Sequence, residues 1–110
     1  MMLSVRTMII AVPLTLLAGF AHGADSAAGQ AKAKEICQAC HGLDGNSPTP
    51  DYPKLAGQYP DYLAKALRDY KSGARKNAIM AGMAGALTAN DIDNLAAYYS
   101  SQPAVLSRKY

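Results

Sequence analysis

Three stretches of the chain carry apolar residues at helical spacing, and glycine- and proline-bearing loops separate them. In "DSAAGQAKAKEICQAC", Ala33, Ile36, Cys37 and Cys40 recur at three- and four-residue intervals, so one face of a helix holds all four. Ser26 stands where an N-cap belongs, and Gly42 follows the end of the run. "PDYLAKALRDYKSG" opens on Pro60, whose missing N–H costs nothing in a first turn, and closes at Gly73. Leu63, Ala66, Leu67 and Tyr70 form its apolar stripe. "TANDIDNLAAYYSSQP" begins with Thr88 and Asp91 in capping-box spacing, with Asp in place of the usual Glu. Ile92, Leu95, Ala96 and Tyr99 line its buried face, and Pro103 marks its end. "GLDGNSPTPDYPKLAGQ" and "NAIMAGMAGALT" read as loops, and the tail "AVLSRKY" as frayed. No period-two run is long enough for a strand. The pattern predicts an all-α domain of three main helices.

The start of the chain is expected to lie outside this domain. Arg6, an apolar run from Met8 to Phe20 and the small residues around Gly23 have the layout of a secretory signal peptide. The run from Met8 to Ala21 falls short of the roughly 20 residues a spanning helix needs, and it contains Pro13. Cleavage after Gly23 would leave residues 24–110 as one domain, exported and with no stable insertion in the membrane. Loss of Arg6 lowers the formal net charge from +3 by one, too mild a balance for a nucleic-acid partner.

The core this pattern offers is thin, because alanine supplies much of it and buries little area. A chain this small needs a staple or a filler. Its two cysteines stand together in "CQACH". A thioredoxin-like pair would want a βαβ context that is absent. A structural zinc site needs four ligands, and His41 is the only histidine left once His22 departs with the leader. A disulfide between Cys37 and Cys40 would close too short a loop to constrain the unfolded chain much. C-x-x-C-H is also the attachment site of c-type haem, and only this reading uses His41. Each thiol adds to one vinyl group, and the following imidazole becomes the proximal iron ligand. A covalently held haem would fill the middle of the fold as well.

With "CQACHGLDGNS", "YPKLAGQYPDYLAKALRDYKSG" and "MAGMAGALTANDIDNLAAYYSSQ", the chain resembles the bacterial class I c-type cytochromes. It is most similar to one half of the periplasmic dihaem cytochromes c and to their single-haem relatives. The resemblance implies a class I cytochrome c fold around one haem c, with Cys37 and Cys40 as attachment points and His41 as proximal ligand. It also implies a carbonyl of Pro53 accepting the Nδ1–H of His41, and Gly29 allowing the first helix to cross the last near Leu95 and Tyr98. Ala33 departs from relatives that place an aromatic there, leaving Tyr98 or Tyr99 to compensate.

A sixth ligand separates an electron carrier from a haem open to gases or peroxide. Met80 and Met83 are the methionines outside the leader, and either could equally fill a gap in the core. The resemblance selects Met80 from its place before "LT", leaving Met83 as a neighbour. It implies a periplasmic electron-transfer protein without catalytic residues, working between larger redox partners. Alternatives are an electron-entry subunit of a dehydrogenase and a ligand-binding or peroxide-consuming haem protein. An attachment motif near the start of the chain speaks against the four-helix gas-binding cytochromes, which carry it near the end. Lys65, Arg68, Lys71, Arg75 and Lys76, broken only by Asp69, form either a solvated helix face or a docking patch for acidic partners.

Overall fold

The structure, a computed structural model, describes residues 1, 2, 4, 8–14 and 23–105. Much of the expected leader, Arg6 included, and the end of the tail lie outside these residues. Among the described residues no helix is long and apolar enough to cross a membrane. Among the described residues there are five helices and no strand: α1 Ser26–Ile36, α2 Gln38–His41, α3 Pro60–Ser72, α4 Ala78–Gly85 and α5 Ala89–Ser100.

The first predicted helix is two. α1 stops at Ile36, Cys37 intervenes, and α2 adds one short turn. Its N-cap is Asp25, not Ser26: the Asp25 carboxylate accepts the N–H of Ala28 at 3.1 Å. A carboxylate also suits the positive end of the helix dipole better than a hydroxyl. α3 starts with Pro60 in the first turn and ends at Gly73, whose φ of 85° is left-handed. α5 carries the complete capping box, with Asp91 N–H on Thr88 Oγ1 and Thr88 N–H on Asp91 Oδ2, both at 3.0 Å.

α4 corrects the expectation of a loop at "NAIMAGMAGALT". The Asn77 side chain accepts from the N–H groups of Ile79 and Met80 at 3.1 and 3.0 Å, satisfying two orphan donors of a first turn. That cap and five strong helix formers (Ala78, Met80, Ala81, Met83, Ala84) offset two glycines, each costing about 1 kcal/mol.

α1 crosses α5 at Gly29. A Cβ there would stand 2.0 Å from Asn94 O and 2.9 Å from Tyr98 Cβ, so only glycine permits the approach. Ala33, with no exposure, joins Leu95, Tyr98 and Tyr99 in the core, the tyrosines supplying the bulk an alanine lacks. α3 packs on both α4 and α5. Among the described residues Leu95 alone is a large side chain exposed by less than 2 %, so the solid core is small. The tail is held as far as the structure describes it. Val105 N–H donates to Asn46 Oδ1 at 2.7 Å, and Asn46 Nδ2 donates to Pro103 O at 3.0 Å.

Candidate functional site

Beside that small core lies a cavity of about 370 Å³. Ile36, Leu55, Leu63, Ala66, Leu67 and Leu95 give it apolar walls, while Cys37, Cys40, His41, Met80 and Met83 bring its chemistry. The predicted stripe of α3 therefore divides between two tasks. Leu63 belongs to both core and cavity, whereas Ala66, Leu67 and Tyr70 face the cavity half-buried. Ala64, outside the predicted stripe, is buried in the core instead.

The geometry of C-x-x-C-H follows from the short helix that carries it. Cys40 N–H and His41 N–H both return to Cys37 O, at 3.3 and 3.0 Å. One turn of helix then places the third and fourth residues after Cys37 on its own face. Two thiols and an imidazole thus meet one cavity wall. Cys37 and Cys40 are not joined to each other by a disulfide. Burial pushes the Cys37 thiol up to about 11, an effect partly offset by its hydrogen bond with Tyr99.

His41 is buried, and its Nδ1 lies 2.8 Å from Pro53 O. A carbonyl can only accept, so this contact requires the proton on Nδ1 and leaves the Nε2 lone pair for a metal. The turn between the two residues is built to hold that distance. Ser47 N–H bonds His41 O at 2.8 Å, and Ser47 Oγ lies 2.7 Å from Tyr52 O, directly before Pro53. Tyr52 meets the imidazole edge-on, with ring centroids 6.3 Å apart.

Met80 and Met83 are three residues apart on α4 and share its cavity face. Met80 is half-buried, whereas Met83 is 43 % exposed. The residues present therefore fit a haem in three respects: an apolar space, two thiols beside a donor-ready imidazole on one wall, and a half-buried thioether among the lining residues. Asn77, Tyr52 and Tyr62 also line the space, and sequence reasoning missed them. A signal for Asn77 was present, an N-capping residue immediately before "AIM".

All five basic residues are exposed, but four of them already have partners. Lys65 pairs with Asp69, and Arg68 Nη2 lies 2.8 Å from Asp93 Oδ1. Lys71 Nζ donates to Leu87 O, fastening α3 to the entry of α5. The Arg75 guanidinium stacks 4.9 Å from the Tyr70 centroid and reaches Tyr62 Oη at 3.3 Å, and Arg75 lines the cavity. Tyr62, Ile79 and Met83 line the cavity as well and are at least 43 % exposed, so apolar side chains reach its mouth beside the exposed Asp51, Lys54, Arg75 and Asn77.

Comparison with known proteins places these features in one group. The family model described as cytochrome c matches residues 26–102. The chain is 50 % identical over 97 residues to cytochrome c4 of Pseudomonas aeruginosa, covering 86 % of this chain and 48 % of that protein. It is 47 % identical over 81 residues to cytochrome c-554(548) of Halomonas halodenitrificans, covering 71 % of this chain and 96 % of that one. A crystal structure of reduced recombinant cytochrome c4 from Pseudomonas stutzeri aligns with a TM-score of 0.71 at 45 % identity, over 76 % of this chain and 48 % of the other. The chain spans about half the length of the cytochromes c4 it matches.

Proposed function

The chain belongs to the cytochrome c family, and on that premise we propose that it carries one electron at a time between larger redox partners in the periplasm. Its cofactor is covalent haem c, which supplies an iron that alternates between two oxidation states. Cys37 and Cys40 hold the macrocycle by thioether bonds. His41 would bind its iron through Nε2, and Met80 would supply a thioether as the second protein ligand.

The observation that carries this reading is the convergence of His41 and Met80 on one largely apolar cavity. Each residue has a separate task there. Pro53 O holds the His41 proton at Nδ1 and raises the basicity of the ring. Asn77 fixes the backbone N–H of Met80 and so the start of the helix that presents its sulfur. Leu63, Leu67 and Leu95 exclude water, which limits solvent rearrangement when charge changes. Met83 is a neighbour at the mouth, where its exposure suits packing better than ligation. Partner docking is assigned to that mouth with Arg75 and Lys76 beside it, since Lys65 and Arg68 are already paired. The mature protein is taken to begin after Gly23.

Protein-film voltammetry of the holoprotein tests the carrier reading. A single reversible one-electron wave, unchanged by added peroxide, is expected. A catalytic peroxide current would instead identify a peroxide-consuming haem protein. Co-elution with a dehydrogenase at physiological salt would identify a dedicated subunit.

A further inference from the structure

His41 and its acceptor Pro53 belong to different arms of one loop, which Ser47 joins at the turn through His41 O and Tyr52 O. Two consecutive tyrosines of α5 reach this loop, both at most 5 % exposed. Tyr98 Oη donates to Leu43 O at 2.6 Å, in the arm that follows His41. Tyr99 reaches both arms: its Oη donates to Gly42 O at 3.2 Å, and its carbonyl accepts Gly57 N–H at 3.0 Å. Between these anchors Gly45 O accepts the N–H groups of Leu55 and Ala56 at 2.8 and 3.1 Å. A Cβ on Gly45 would stand 2.7 Å from the Tyr99 ring and 2.8 Å from Ala56 N, so the ring is pressed against the point where the arms join.

We infer that Tyr99 is a positioning residue for the proximal ligand: it clamps Gly42 and Gly57, on either side of the His41–Pro53 hydrogen bond, and thereby sets that bond's length. The inference rests on His41 being the proximal ligand. A short Nδ1–H···O bond makes the imidazole a stronger electron donor, which favours ferric iron and lowers the potential. Loosening the clamp must therefore raise the potential. Tyr98, bonded to one arm only, stabilises the fold without acting on the imidazole.

Tyr99→Phe and Tyr98→Phe holoproteins provide the test, each keeping its ring and losing one hydroxyl. In Tyr99→Phe the His41 Nδ1–H should exchange with solvent up to roughly tenfold faster, the upper range for one lost hydrogen bond, and the midpoint potential should rise. Tyr98→Phe should lose comparable thermal stability with exchange and potential unchanged. Equal potentials and exchange rates in Tyr99→Phe and wild type would overturn the inference. If Tyr99→Phe yields no holoprotein, native-state exchange of the wild type decides. Gly57 N–H and His41 Nδ1–H should then open together across low denaturant, whereas independent opening would refute the clamp. Failure of the ligand assignment is distinguishable, because a His/Met-ligated spectrum would then be absent from the wild type itself.

Discussion

At the scale of single residues, Met80 and Met83 are chemically alike and share a helix face, so burial separates them. Met80→Ala is expected to abolish the weak near-infrared sulfur-to-iron band of the ferric protein and to lower its potential. Met83→Ala should leave the band in place; the reverse pattern would move the ligand to Met83. Cys37→Ser should sharply reduce holoprotein yield, read as haem surviving acid-acetone extraction. Among the described residues there is no other staple, and the fully buried core of large side chains amounts to Leu95. The candidate roles of Cys37, Cys40 and His41 could be read from the sequence because C-x-x-C-H points to one chemistry over five adjacent residues, whereas Met80 was singled out from Met83 only through the family resemblance. The Tyr98 and Tyr99 hydroxyl contacts could not be read there, since their acceptors lie 55 and 57 residues away in the chain.

Among the elements, those with both a cap and a stop in the sequence were readable, as α3 and α5 show. α4 was not, because its glycines and small side chains resemble a loop unless Asn77 is weighed as a cap. The break at Cys37 was equally hidden: the apolar face continues through it, and only the hydrogen bonds back to Cys37 O show a separate turn. Asn77→Ala should cost about 1 kcal/mol of stability, with Asn77→Asp retaining most of it. Loss of the cap should also shift the near-infrared band, because Met80 N–H is one of its two partners. Gly29→Ala should destabilise by about 1–3 kcal/mol, at the upper end because the obstructing atom is the backbone oxygen of Asn94. A denaturant midpoint within error of wild type would contradict the close crossing.

For the molecule as a whole, stability should decline at alkaline pH. Burial is the leading cause holding the Tyr98 and Tyr99 hydroxyls above their ordinary value of 10.0. Above that value the unfolded chain has released these protons and the folded chain has not. The unfolded state therefore binds fewer protons, and the unfolding free energy falls as pH rises. Tyr99→Phe should flatten this decline, read as denaturant midpoints on either side of about pH 10. Charge plays a smaller part than the run from Lys65 to Lys76 suggested, since Asp69 and Asp93 occupy two of its five cations. Reversing charge at Arg75 and Lys76 should slow reaction with an acidic partner at low ionic strength only, because screening reaches about 10 Å at 0.1 M salt. The proposed carrier role requires His41 and Met80 both to ligate the haem iron, so that it would exchange electrons and not ligands. Titrating the ferrous wild-type holoprotein with carbon monoxide at neutral pH tests it most directly. An almost unchanged spectrum is expected, with Met80→Ala binding the gas readily, whereas rapid stoichiometric binding by the wild type would contradict the account.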